Sequence, residues 1–369
     1  MSKLILPGLI DPHVHLRDPG QTEKEDFYTG TLAALAGGYT TVIDMPNNKI
    51  PIANLKLLEE KILIAKEKIV CDVGFYFGSM GDNLEEFPKV INKVLGLKLY
   101  LNETTGNYLI DKNKLRQIFK SWTQSMSLRS NKLYEQKPIL LHAEGKAIEY
   151  VVKLVSKLGT KVHFCHISTQ GDLELIVQAK DEGLPVTCGV TPHHLFLTED
   201  DVKTLGPFGK MKPKLAGRKD VDFLWRNLKA IDVIESDHAP HAIEEKTGKF
   251  QIPYGVPGLE TTLPLLLTAA SENRLSIDDI IRLCFENPAK IFNIPLSNDS
   301  NHRSYIEVDP LAKYEIDNKK LFTKCSWSPF NGWKVKGKVE KVYIRNQKVF
   351  ENNNILTPKG WGKIIHQNK

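Results

Sequence analysis

The sequence has little of what would set it apart from ordinary globular proteins. No apolar stretch approaches the about 18 residues that a bilayer span needs, and Met1-Ser2-Lys3 leads straight into a strand-like run without a secretory signal. A soluble, cytoplasmic protein with no membrane partner is expected. Cysteine is scarce. Cys71, Cys165, Cys188, Cys284 and Cys325 are odd in number, widely spaced and set mostly in apolar runs, which argues against a disulfide framework and for a reducing compartment. No basic block stands behind the net charge of +6, because lysines such as Lys66 and Lys68 alternate with acidic neighbours. The charge therefore reads as a solvated surface with no nucleic-acid partner. Internal repeats are absent, and so is the glycine-rich phosphate loop that would follow the first strand of an open doubly wound sheet.

What is present is an alternation. The 369 residues are 41% hydrophobic and 25% charged, enough apolar material for a large core. Strand-like runs recur at Leu4 to His15, Tyr39 to Asp44, Cys71 to Phe77, Leu97 to Leu101, Ile139 to His142, Val162 to His166, Val186 to Val190 and Ile231 to Asp237. Amphipathic segments of helical length lie between most of them, for example Asn54 to Ile69, Lys146 to Leu158 and Leu173 to Glu182. This pattern predicts an α/β chain folded as a (β/α)8 TIM-type barrel over residues 1–296. A linker and a small C-terminal β appendage, packed on the barrel, are expected over residues 297–369, after the polar stretch Ser297 to Ser304. The long crossover Thr191 to Arg218, rich in Pro, Gly and Lys, reads as an insertion or flexible segment over one barrel face.

Barrel enzymes place reactive groups where strands end, so the ionisable residues closing these runs are the candidates. His13 and His15 share one face of a strand and can address a common ion. His142 and His166, taken singly, read first as hydrogen-bonded core histidines, and Asp237 as a loop cap; together at successive strand ends they read as a metal cage. Lys98, inside Gly96-Leu97-Lys98-Leu99-Tyr100-Leu101, is harder to assign to structure. A buried ammonium loses solvation unless paired, and the neutral amine reacts with carbon dioxide to give an anionic carbamate able to bridge two divalent ions. Arg17 and Asn47, on the same rim, predict an anionic substrate.

These residues together resemble the amidohydrolase superfamily, and more narrowly the dihydroorotase domains of animal-type multifunctional proteins. The matching segments include Asp11 through Arg17, Met45-Pro46-Asn47, Gly96 to Thr104, His142-Ala143-Glu144, Cys165-His166, Pro192 to Leu197, Ser236 to His241 and Pro257 to Glu260. The resemblance implies reversible cyclisation of carbamoyl aspartate to dihydroorotate in pyrimidine synthesis. It implies two zinc ions, one held by His13, His15, carboxylated Lys98 and Asp237, the other by Lys98, His142 and His166, with a bridging hydroxide as nucleophile and Asp237 as proton carrier. Arg17, Asn47 and His241 match positions that hold the substrate carboxylate, Thr104 a mobile loop, and Lys212 stands where an arginine is usual. Thr105 replaces an expected aromatic residue, which leaves the packing of that loop open. The near absence of a β segment before the barrel implies excision from a longer polypeptide, with neighbours such as aspartate carbamoyltransferase, and a homodimer.

Gly189 replaces an acidic residue associated with an extra metal, and strand alternation would turn His163 and Cys165 away from His166. Two metals rather than three are therefore expected. The competing readings are a hydantoinase or allantoinase built on the same cage, and an inactive dihydroorotase-like scaffold.

Overall fold

The computed structural model describes residues 3–106, 108–127, 136–248, 251–296 and 303–366. The opening run, expected as one strand, divides at Gly8 into β1 (Leu4–Pro7) and β2 (Leu9–Val14). A Cβ at Gly8 would stand 2.4 Å from the Thr40 side chain, so only glycine lets the chain turn there against its neighbour. From β2 the chain builds a parallel sheet in strict sequence order: β3 (Tyr39–Asp44), β4 (Asp72–Gly78), β5 (Gly96–Tyr100), β6 (Ile139–His142), β7 (Val162–Phe164), β8 (Val186–Val190) and β9 (Val233–Ile234). A parallel bridge between Val14 and His238 brings the last strand back to the first. The result is the predicted eight-stranded barrel. Its strands are buried on both faces, which is why they read as continuous apolar runs rather than alternating ones.

β7 and β9 are shorter than the sequence pattern implies. His166 and Asp237 take positive φ angles of 41° and 44°, which end the ladder and swing both side chains over the barrel mouth. The intervening helices begin and stop on recognisable signals. Asp26 Oδ1 accepts hydrogen bonds from the amides of Tyr28 (2.9 Å) and Thr29 (3.0 Å) to start helix Phe27–Ala36, and left-handed Gly159 (φ 65°) ends helix Lys146–Leu158. Among the described residues no helix is long and apolar enough to cross a membrane.

The C-terminal segment forms an antiparallel sheet in which β1 joins β10 (Tyr305–Glu315), β11 (Lys334–Ile344), β12 (Gln347–Glu351) and β13 (Asn354–Ile355). The crossover after β8 is an ordered layer rather than a flexible one. It winds into helices Pro192–Phe196 and Val202–Leu205, and Leu197, Met211 and Leu215 are buried with Trp327 and Phe330 of the C-terminal segment. Residues 297–302 of the expected linker lie outside the described residues. All five cysteines are buried and unpaired, as their spacing indicates.

Candidate active site

The strand-end residues singled out in the sequence converge at one mouth of the barrel. Asp237 Oδ1 stands 3.3 Å from His13 Nε2 and 3.0 Å from His15 Nε2. His142 Nδ1 and His166 Nε2 are 3.1 Å apart, and the rings of His13 and His166 lie 5.3 Å from centre to centre. His13, His166 and Asp237 each direct a ligand atom into a space less than 4.8 Å across. Three imidazoles facing one carboxylate and one another, out of water, is the donor set that a divalent transition metal requires. Further fit comes from what is left unpartnered: His142 Nε2 and His166 Nδ1 are buried without hydrogen bonds.

Lys98 projects from β5 into the same space with none of its surface exposed. Its Nζ reaches Cys165 Sγ at 3.2 Å and stands 5.1 Å over the Tyr100 ring, but it forms no ion pair with a carboxylate among the described residues. The clustered histidines and Asp237 fit a divalent metal ion, with Lys98 lining the same space.

The electrostatics follow from burial and charge. Burial pulls His142 down to about 3 and His15 to about 4, and holds His166 well below its usual range, leaving these rings neutral as metal ligands must be. His13 goes the other way. Burial and Lys98 push it down, but the Glu235 and Asp237 carboxylates outweigh them and raise it to about 10.

The rim residues are arranged for an anion. Arg17 is 5% exposed, with Nε donating to Pro240 O at 3.1 Å and Nη2 against His241 Nε2 at 3.1 Å, which fixes the guanidinium while leaving N–H groups toward the cavity. His241 Nε2 lies 3.1 Å from Arg17 Nη2 and 3.0 Å from Tyr254 O, a contact that steadies the guanidinium. Asn47 Oδ1 accepts from His15 Nδ1 at 2.6 Å, which sets that ring's tautomer and leaves the amide NH2 free. Lys212 lines the cavity with its Nζ 5.6 Å over the Tyr254 ring. Thr104 and Thr105 also line the cavity. The Thr105 hydroxyl donates to Tyr254 O (3.2 Å) and accepts from Tyr254 N (2.9 Å), so a polar latch serves where an aromatic residue was expected. The cavity among these residues is small, about 30 Å³, room for a single water. A cavity of about 1050 Å³ exists at β1 and β10, lined by residues such as Ile5, Tyr305 and Arg345, but among the described residues no cluster of ligating side chains faces it.

One expectation is overturned. His163 and Cys165 do not point away from the cage: Cys165 Sγ contacts Lys98, and His163 Nε2 lies 3.6 Å from Glu235 Oε2. The left-handed turn at His166 breaks the alternation, so 165 and 166 both reach the barrel interior. The sequence reading also passed over Glu235, which is fully buried beside His13. No local pattern marks it, because β9 ends at Ile234 and the left-handed turn at Asp237 breaks the alternation that would relate the two positions.

Comparison with known proteins identifies the family. Residues 4–298 match the amidohydrolase family. The chain is 42% identical over 368 residues to the multifunctional protein CAD of Squalus acanthias, covering 98% of this chain but 16% of that protein. It therefore spans about a sixth of that relative's length. It is 38% identical to the dihydroorotase of Pyrococcus horikoshii, over 97% of this chain and 84% of the relative. The L-hydantoinase of Arthrobacter aurescens superposes with a TM-score of 0.91 at 26% identity, covering 99% of this chain and 89% of that one. With a matching fold, a converged set of ligating residues and such relatives along nearly its whole length, the chain belongs to the amidohydrolase family.

Proposed function

We propose that the chain is a dihydroorotase, interconverting N-carbamoyl-L-aspartate with L-dihydroorotate and water in the synthesis of pyrimidines. The observation that carries this reading is a buried, pre-oriented Arg17 beside the histidine–carboxylate cage: a guanidinium there needs an anion, which dihydroorotate supplies through its carboxylate. The names of the relatives support it. Held by His13, His15, carboxylated Lys98 and Asp237 on one side and by Lys98, His142 and His166 on the other, two zinc ions would supply a Lewis acid for the ring amide carbonyl and acidify the attacking water.

The chain's own residues do the rest. Asp237, between His13 and His15, takes the proton of the attacking water and returns it to the departing ring nitrogen; cyclisation runs the same transfers backwards. Arg17, Asn47 and Lys212 orient the carboxylate, His241 steadies Arg17, and the loop bearing Thr104 and Thr105 closes out water. Asp237→Asn keeps the shape but loses the basic oxygen. Zinc is expected to stay largely bound while turnover in both directions falls about 10²-fold, read from metal analysis beside steady-state rates. Near-normal rates with zinc retained would assign the proton to another base.

A second reading, a cyclic amidohydrolase for neutral rings, draws support from the hydantoinase superposition. Such a substrate would leave Arg17 buried without an anion. An inactive scaffold is disfavoured by the complete ligand set. Zinc analysis with parallel assays on carbamoyl aspartate, dihydroorotate, hydantoin and allantoin separates all three; faster turnover of a neutral ring, or none at all in metal-replete protein, would overturn the dihydroorotase reading. As the chain spans 16% of the multifunctional relative, we also propose that it works beside other domains of pyrimidine synthesis, aspartate carbamoyltransferase among them, and pairs as a homodimer. In this reading residues 1–296 carry the chemistry, and 297–369 form the appendage.

A further inference from the structure

The buried carboxylate of Glu235 has no part in the chemistry above, yet it touches both halves of the cage. Its Oε2 lies 3.2 Å from His13 Nδ1, on the side of the ring opposite Asp237. Its Oε1 accepts the His166 amide N–H at 2.5 Å. His163 Nε2 is 3.6 Å from Oε2. The space it fills exists because position 189 is glycine: a Cβ there would stand 2.6 Å from Glu235 Oε1 and 2.7 Å from its Cδ. The two positions, on adjacent strands, are therefore sterically coupled.

We infer that Glu235 is a positioning residue, which orients His13 by accepting its Nδ1–H, pins the His166 backbone, and depends on Gly189 for room. This rests on the cage reading under Proposed function. A histidine whose second nitrogen donates to a carboxylate presents the first nitrogen, here Nε2, in one tautomer and one orientation, and becomes a stronger ligand. The second bond acts on strain. His166 holds a left-handed backbone at φ 41°, costly for a residue with a Cβ, and its amide is fixed by the same carboxylate. One group thus sets a ligand on β2 and a ligand at the end of β7.

Four proteins decide the matter: the parent, Glu235→Gln, Glu235→Ala, and Glu235→Ala combined with Gly189→Asp. Zinc affinity is measured by competition with a chelator, zinc stoichiometry by elemental analysis, and the His13 Nδ1–H by proton NMR of zinc-loaded protein. The parent should bind two zinc ions and show a slowly exchanging, downfield imidazole proton. Glu235→Ala should lose that signal and bind zinc about 10- to 100-fold more weakly. Glu235→Gln, of equal volume, offers one carbonyl oxygen where two N–H groups need acceptors, and should show an intermediate loss. The double variant returns a carboxylate to the same volume from the neighbouring strand and should regain both signal and affinity, a rescue that a merely structural role would not give. Unchanged zinc affinity and an unchanged proton signal in Glu235→Ala would overturn the inference. So would a third zinc in the parent that disappears in Glu235→Ala, since His13, Cys165 and Glu235 would then be ligands of an ion of their own. If the parent binds zinc as expected but does not process dihydroorotate, the substrate assignment fails and the role of Glu235 stands or falls on these readouts.

Discussion

Replacing Lys98 by alanine is expected to leave a folded barrel with little metal and turnover reduced by about 10⁴-fold or more, some 5.5 kcal/mol of transition-state stabilisation. The lysine is wholly buried, and its only polar contact among the described residues is Cys165 Sγ, so deletion removes no ion pair seen among them. What it removes is the lysine that lines the same cavity as His13, His15, Asp237, His142 and His166. In the proposed centre the carbamate would be the anion shared by two divalent ions, and without it their mutual repulsion should cost the second ion first. Elemental analysis and steady-state assay read the effect. A second measurement isolates the carbamate: apoprotein reconstituted in carbon dioxide-free buffer should recover less zinc than apoprotein given bicarbonate. A metal-replete, fully active alanine variant would remove Lys98 from the centre.

Arg17→Ala should lower kcat/KM for both dihydroorotate and carbamoyl aspartate by about 10³-fold, near 4 kcal/mol, with zinc content unchanged. The size follows from burial. Nε and one Nη are already fixed by Pro240 O and His241, so the arginine spends little ordering energy on its ligand, and its loss strands a carboxylate in a space closed to solvent. Lysine at this position should recover only part of the loss, because a point charge cannot replace the planar fork. Lys212, on the facing wall, is the residue to examine if turnover survives with the metal intact.

How far the sequence alone reaches can be judged from particular residues. The barrel was legible because each strand is buried on both faces and writes a solid apolar run, and the cage because its members sit where those runs stop. Legibility failed where the backbone leaves the regular ladder. Alternation placed Cys165 away from the cage, but the left-handed turn at His166 cancels the alternation. Glu235 was hidden for another reason: its importance lies in a pairing with Gly189 on the adjacent strand, and neither residue signals the other locally. His241 matched a ligand-binding position by motif, and its contact with Arg17 emerges only from the fold. The polar latch at Thr105 likewise needs Tyr254, distant in sequence, before it has meaning.

The division of the opening run at Gly8 bears on how the chain is made. Leu4 pairs with Val308 and Pro7 with Tyr305, so β1 waits for a partner about 300 residues downstream. At ribosomal rates of about 5–20 residues per second, that interval is roughly 15 to 60 s. Throughout it the short strand has an open hydrogen-bonding edge, while β2, only one residue further on, can already pair with β3. Assembly of the barrel can run from the amino end as each strand emerges, but β1 can join its sheet only after residues 305–308 have been made. The edge left waiting is four residues long and begins beside Lys3, which keeps it a poor template for joining another molecule in the meantime.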